Sequence, residues 1–181
     1  MLLDRFYPCA YLDSVFSIDY EKLYQLGYRG ILFDIDNTLV LHGADSNPKV
    51  DALFRQIHRA GLKTLLLSNN SEERIQRFLA HIDAPYIAEA GKPAPANYFK
   101  ALEMLGISRE QAVVIGDQIF IDIYGANRCG IDSILVAFLR HENERHFGKR
   151  RVAEKWILRC WKLFPGRHRV LGDIVKKEKR S

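Results

Sequence analysis

A three-layer α/β fold of the Rossmann-like type, with a central and mostly parallel sheet, is predicted by three features of the sequence. Short, almost wholly apolar runs recur at 30–36, 63–68, 86–88, 112–116 and 134–137. Between them lie helical patterns of about ten to fifteen residues, the alternation that builds a parallel sheet covered on both faces. Each apolar run gives way to polar residues, and in such folds ligands bind beyond the carboxyl ends of the strands.

Taken in order, residues 1–16 mix aromatics, Leu and Asp around Pro8 without a period and predict no element. Ser17-Ile18-Asp19-Tyr20 starts a short capped helix that stops at Gly27. After the strand at 30–36, His42-Gly43-Ala44-Asp45 reads as a turn. Asn47-Pro48 then opens a helix with Val50, Leu53 and Ile57 inward, closed by Gly61. The strand at 63–68 ends in Ser68-Asn69-Asn70, where Asn70 is expected to cap a helix with Glu73 in the reciprocal position and Ile75 and Leu79 inward. The strand at 86–88 precedes Gly91-Lys92-Pro93. A helix over about 95–105 is expected to bury Phe99, Leu102 and Leu105, and Ser108 to Gln111 has the spacing of a capping box. The strand at 112–116 meets Asp117, a helix runs to Gly130, and the last strand follows.

The chain has 181 residues, enough to bury a substantial core. No apolar run is long enough to span a bilayer, and the charges at Asp4 and Arg5 interrupt the place of a secretory signal, so a cytoplasmic protein is expected. Cys9, Cys129 and Cys160 are too few and too far apart for a disulfide framework or a zinc site. Net charge is +5, unevenly placed: residues 1–139 hold 13 Lys and Arg against 17 Asp and Glu, residues 140–181 hold 14 against 5. This divides the chain into a core at 1–139 and a basic, helical extension at 140–181 suited to an anionic surface.

The centre of the chain is Phe33-Asp34-Ile35-Asp36-Asn37-Thr38-Leu39. Two carboxylates one residue apart at a strand end are costly unless a cation or a reaction holds them there. The structural alternative is a strand running into an Asp/Asn-rich turn. Ser68 and Asn69 read equally as a helix-start loop, Lys92 as a surface lysine and Asp122 as a helix-start anion, while Asn37 and His42 are read as structural. The strand-end groups Asp34, Asp36, Ser68, Asn69, Lys92, Asp117 and Asp122 are nonetheless placed to converge on one crevice.

Phe33 to Leu39, the strand-ending Ser68, Lys92-Pro93, and Gly116-Asp117-Gln118 running into Asp122 resemble, in order and over about 30–137, the four motifs of haloacid-dehalogenase-like phosphatases. The resemblance implies Asp34 as the nucleophile that carries the phosphoryl group and Asp36 as general acid and base. It implies Mg²⁺ on Asp34, Asp117 and the main-chain carbonyl of Asp36, with Ser68, Asn69 and Lys92 on the phosphate and Thr38 and Asp122 in support. Only 34 positions separate Asp34 from Ser68 and 24 separate Ser68 from Lys92, which leaves no room for a cap domain. Asp36-Asn37-Thr38-Leu39-Val40, Ser68-Asn69-Asn70 and Gly125-Ala126-Asn127-Arg128 further resemble the YqeG-like, phosphatidylglycerophosphate phosphatase branch, although Ile121 stands where a small polar residue is expected. That branch implies Mg²⁺-dependent removal of the terminal phosphate to give phosphatidylglycerol.

On a helical wheel, residues 151–164 set Arg151, Lys155, Arg159 and Lys162 against Val152, Trp156, Cys160, Leu163 and Phe164, with Ile157 beside them. This is the pattern of a helix lying on an anionic membrane, and equally of one packed on its own core or on a second subunit. Two other functions remain open at this level. One is a phosphatase for a soluble or polynucleotide phosphate, with the tail on nucleic acid; the other is an RNA- or ribosome-associated binding module.

Overall fold

The computed structural model describes residues 3–140, 148–163 and 169–176; the expectations on Phe164, on a helix stop at Pro165-Gly166 and on the basic end at 177–180 lie outside them. The strands are β1 (Ala10–Leu12), β2 (Gly30–Phe33), β3 (Lys63–Leu67), β4 (Tyr86–Ile87), β5 (Ala112–Gly116) and β6 (Asp132–Val136). They form one sheet in the order β1-β6-β5-β2-β3-β4, every neighbouring pair parallel. Of the expected strands, the first ends earlier, at Phe33, which leaves Asp34 and Asp36 in the loop beyond it.

The helices are α1 (Tyr20–Gln25), α2 (Pro48–Arg59), α3 (Glu72–Phe78), α4 (Ala96–Leu105), α5 (Tyr124–Cys129) and α6 (Lys149–Leu163). Alternation along β2 sends Ile31 and Phe33 into one core with Phe54 and Ile57 of α2 and Ile75 and Phe78 of α3. Leu32 faces the other core, with Tyr98, Ala101 and Leu102 of α4 and Ala126 of α5. Among the described residues, 34–47 alone separate β2 from α2, fourteen residues without a helix or strand of their own, and no cap domain interrupts the sheet.

The expected capped helix is α1, with Asp19 as its cap, the carboxylate accepting from the Lys22 N–H; three other local expectations are corrected. Ser71, not Asn70, caps α3, because the Asn70 amide is spent on Asp36. Phe99 is exposed and Tyr98 is buried in its place, a slip of about 100° around α4. The stretch leading to Gly130 opens as a π-helical turn at Ile119–Ile123 before α5 begins. The unassigned N-terminal stretch supplies β1, which pairs with β6 at the sheet edge.

The extension packs on the core. Ile157 of α6 is buried with Tyr7, Ile119, Ile123 and Leu135, and the Trp161 indole N–H donates to the Pro8 carbonyl at 2.8 Å. Farther on, Leu171 and Ile174 are buried in the α2 core, and Val175 bridges to Ile18. The wheel places Arg151 on a solvent-facing basic stripe. It instead turns towards the sheet, because the Asp117 carboxylate at the end of β5 offers it a buried partner.

Candidate active site

The loops after β2, β3, β4 and β5 bring Asp34, Thr38, Ser68, Lys92, Asp117 and Asp122 to one end of the sheet, all of them buried. After β2 the chain turns tightly, with the N–H groups of Thr38, Leu39 and Val40 all donating to the Ile35 carbonyl. The turn passes through Asn37 at φ 62°, a left-handed conformation that Asn tolerates, and the Asn37 side-chain oxygen accepts the His42 N–H. This folds Thr38 back so that its hydroxyl lies 3.3 Å from Asp34 Oδ2 and 3.1 Å from Asp117 Oδ1. At the end of β5, a Cβ on Gly116 would stand 2.3 Å from Asp122 Cγ. Glycine there lets Asp122 sit against the strand end, where its second oxygen accepts the Gln118 N–H.

Lys92 is the cation between Asp34 and Asp122. Its Nζ lies 2.7 Å from Asp34 Oδ1 and 2.7 Å from Asp122 Oδ1. Asn69 fixes the main chain of Lys92 from both sides, accepting its N–H at 2.8 Å and donating to its carbonyl at 3.1 Å. The Asn69 side chain expected on a phosphate is therefore committed to Lys92, and what it can offer an anion is its main-chain N–H. The Ser68 hydroxyl oxygen accepts the Asn70 N–H at 3.2 Å.

Asp34, Asp117 and Asp122 bring carboxylate oxygens within 4.8 Å of one another. A set of hard oxygen donors of this charge fits Mg²⁺ rather than a thiophilic or imidazole-seeking metal. Asp36 is not in this cluster. Its carboxylate accepts from the Asn70 amide at 2.7 Å, the Arg74 guanidinium at 2.9 Å and the Gly43 N–H at 3.1 Å, with His42 Nδ1 at 3.3 Å. Any part Asp36 takes in metal binding falls to its main-chain carbonyl.

The electrostatics differ accordingly. Burial pushes Asp34 up to about 6 against the pull of Lys92. Burial, with Asp34 nearby, does the same to Asp117, also to about 6. Burial raises Asp122 as well. Lys92 loses hydration too, but Asp122 and Asp34 outweigh that and hold it charged well above the ordinary lysine range. For Asp36 burial is overcome by Asn70, Gly43 and Arg74, which hold it below the usual carboxylate range.

Two groups near the site escape a reading of the sequence. Arg74, on the first turns of α3, clamps Asp36 and also donates to the Ala44 carbonyl at 2.6 Å. Arg151 of α6 grips Asp117 through its main-chain carbonyl at 2.7 Å and through Oδ2, and is itself held by Glu154 at 2.9 Å. Glu154 is buried and accepts the Ile119 N–H with its other oxygen. A lone acid inside a basic helix, three residues from an arginine, is the signal for this pair.

Comparison with known proteins gives the family. A sequence model of haloacid dehalogenase-like hydrolases matches residues 42–130. The chain is 35% identical to "Probable phosphatase YqeG" of Bacillus subtilis over 137 residues, 75% of this chain and 80% of the relative. The chain belongs to the haloacid dehalogenase-like hydrolases. Within that family it is a phosphatase-type member related to YqeG. It is also 28% identical to "Phosphatidylglycerophosphate phosphatase 1, chloroplastic" of Chlamydomonas reinhardtii, over 87% of this chain and 62% of that one. The family fold recurs in a crystal structure of an uncharacterized protein from Listeria monocytogenes serotype 4b, with a TM-score of 0.52 at 19% identity, covering 74% of this chain and 99% of the other.

Proposed function

We propose that this phosphatase removes the terminal phosphate from phosphatidylglycerophosphate by way of a phosphoryl group carried on Asp34, at the cytoplasmic face of a membrane. The observation that carries the chemistry is the cluster of Asp34, Asp117 and Asp122, whose carboxylate oxygens lie within 4.8 Å of one another at the sheet's carboxyl end, with the Lys92 ammonium 2.7 Å from Asp34. Asp34 attacks phosphorus and the ester P–O bond breaks. Asp36 gives its proton to the leaving oxygen and later takes one from the water that splits the aspartyl phosphate. At rest Asp36 is ionised, as its low pKa requires. A phosphate dianion brought beside it raises its proton affinity, so that Asp36 takes up a proton from solvent as the substrate binds and passes that proton to the leaving oxygen. Ser68 and the main-chain N–H groups after it hold the phosphate oxygens, and Lys92 neutralises charge that develops on them. Asp34 and Asp117 would hold Mg²⁺, which supplies the positive charge that lets a phosphate approach two carboxylates.

Substrate identity draws on the named Chlamydomonas relative, whose similarity covers 87% of this chain. The test is phosphate release from a panel of phosphatidylglycerophosphate, sugar phosphates, nucleotides and end-phosphorylated DNA. Turnover of the lipid above the rest supports the proposal. Preference for a soluble or polynucleotide phosphate moves the protein to another substrate, and no release from any of them makes it a binding module.

The extension at 140–181 belongs to this reading as the part that meets the membrane. No helix among the described residues is long and apolar enough to cross one. Val152, Trp156 and Leu163 are exposed on α6, at 48%, 62% and 73%, and fall within about 40° of one line on the helix. Lys149, Lys155 and Arg159 flank that line, the Arg159 guanidinium 5.5 Å from the Trp156 ring. Such a face is drawn to anionic lipid by about 1 kcal/mol per basic residue near the surface. Removing residues 141–181 would strip Arg151 and Ile157 from the core as well, so point changes isolate the face. Val152→Glu with Trp156→Glu is expected to weaken co-sedimentation with phosphatidylglycerol vesicles roughly tenfold, and to lower turnover of vesicle-borne ester relative to a soluble one. Unaltered sedimentation would discard the anchor.

A further inference from the structure

We propose that Arg151 and Glu154, from the carboxyl-terminal extension, are positioning residues of the metal centre: they bracket residues 117–119 and hold Asp117 with one oxygen turned forward for the ion. This rests on the reading of Asp117 as a Mg²⁺ ligand given above, and it adds two groups that lie outside the four motifs.

The two side chains leave α6 three residues apart, on one face of the helix, and so reach the same stretch of chain. The Arg151 guanidinium donates to the Asp117 carbonyl at 2.7 Å and to Asp117 Oδ2. It also donates to Glu154 Oε2 at 2.9 Å, and its plane lies 4.3 Å from the Phe138 ring centre. Glu154 Oε1 accepts the Ile119 N–H at 2.9 Å. Ile119 opens the π-helical turn that carries Asp122, and an N–H at the start of such a turn has no partner within it. Asp122 in turn accepts the Gln118 N–H at 3.1 Å. Each of residues 117, 118 and 119 is therefore fixed by a charged side chain, and α6 supplies the first and the last.

Which oxygen Arg151 takes decides between a brace and a rival for the metal. The Thr38 hydroxyl lies 3.1 Å from Asp117 Oδ1 and 3.3 Å from Asp34 Oδ2, so Oδ1 is the oxygen turned towards Asp34. Arg151 takes the other one, Oδ2. Mg²⁺ demands near-ideal octahedral geometry, which favours a carboxylate already held with one oxygen forward. A planar guanidinium, bonded to both the carbonyl and the carboxylate of one residue, fixes its rotation as an ammonium does not. Glu154 cancels the charge of Arg151, so the pair directs Asp117 without adding net charge beside the ion. The Asp117 side chain is wholly buried and that of Glu154 nearly so, which makes these contacts rather than water the partners that set their directions.

The test is calorimetric titration of the full chain with Mg²⁺ at about pH 8, where protons do not compete for the carboxylates, and without substrate, so that it does not depend on turnover. Arg151→Met combined with Glu154→Gln removes the bracket, keeps the net charge and leaves an amide oxygen for the Ile119 N–H. Its Mg²⁺ affinity is expected to fall about tenfold. Arg151→Lys, which keeps the charge and loses the fork, should fall a few-fold, and it decides alone if the double variant does not fold. Trp161→Phe is the control for a loosened helix: it removes the bond to the Pro8 carbonyl, lowers the melting temperature and should keep the parent's Mg²⁺ affinity. Affinity equal to or above the parent's in the deciding variant overturns the proposal. So does a loss in Trp161→Phe as large as in the double variant, or a parent that binds no Mg²⁺. Weakened Mg²⁺ binding in the bracket variants, with no ester turned over by the parent, leaves the bracket standing while the phosphatase reading alone fails.

Discussion

Asp34→Asn is expected to lower turnover by at least about 10³-fold, through loss of the attacking oxygen's charge, while leaving the metal-free protein as stable as the parent or more so near neutral pH. The second half follows from where the carboxyl sits. Burial raises Asp34 from 3.8 to about 6, so the folded chain binds this proton more tightly than the unfolded one. Stability from that group is therefore greatest below the unfolded value and falls as pH rises towards 6, with the full cost present above it. Asp117 behaves the same way and over the same window. Metal-free parent protein should thus lose melting temperature between about pH 4 and pH 7, and the Asp34→Asn variant, with one fewer buried charge, should lose less. The amide oxygen that replaces the carboxylate can still accept from Lys92, which keeps the local contact. Mg²⁺ should reverse the trend in the parent, raising the melting temperature more at about pH 8 than at about pH 5, because protons compete for the same oxygens. The variant should show a much smaller Mg²⁺ shift at both. A variant that turns over substrate within a few-fold of the parent, or that keeps the parent's Mg²⁺ response, would remove Asp34 from the centre of the chemistry.

What can be read in the sequence is whatever is local or periodic. β2, β3 and β5 are buried on both faces and so appear as continuous apolar runs, and the polar residues that end them mark the site before any coordinates do. β1 cannot be read that way. Three residues, two of them only half buried, show no period, and they become a strand only because β6 offers an edge. Asn70 has the right spacing for a cap, but a carboxylate 34 residues away in the chain outbids the helix for its amide. The helical wheel of α6 separates two faces correctly in part, yet charge alone assigns Arg151 to water. A cation goes inward when a buried carboxylate waits there, and Asp117 is contributed by a strand end 34 residues earlier. The same limit explains Asp36: its neighbours in sequence predict a carboxylate beside Asp34, and only the packing of α3 reveals the Arg74 clamp.

Lys92→Met is expected to destabilise the protein by about 3–5 kcal/mol at pH 8 and to remove most of its activity. Methionine fills the space of the lysine stem without the charge, so the volume of the slot is kept and the electrostatics alone are changed. The Lys92 side chain is 2% exposed and its ammonium stands 2.7 Å from both Asp34 and Asp122, the first almost buried and the second wholly so. Without it, two buried carboxylates are left near each other, and among the described residues Thr38 and the Gln118 N–H are what remains to satisfy them. The pH dependence identifies the cause. Lys92 has its folded pKa raised, so its own contribution is intact below 10.5 and constant from about pH 5 to pH 8. Any change across that range reports the carboxylates, whose raised values let them take up protons as pH falls. The destabilisation should therefore shrink from about pH 8 to pH 5, as measured by urea unfolding at each pH. Adding Asp122→Asn removes one of the stranded charges and should recover part of the lost stability but none of the turnover, because the reacting phosphate still lacks its cation. Equal stability of Lys92→Met and parent at about pH 8 would show that the ammonium does not hold this cluster together, and recovery of turnover in the double variant would show that it does not act on the phosphate.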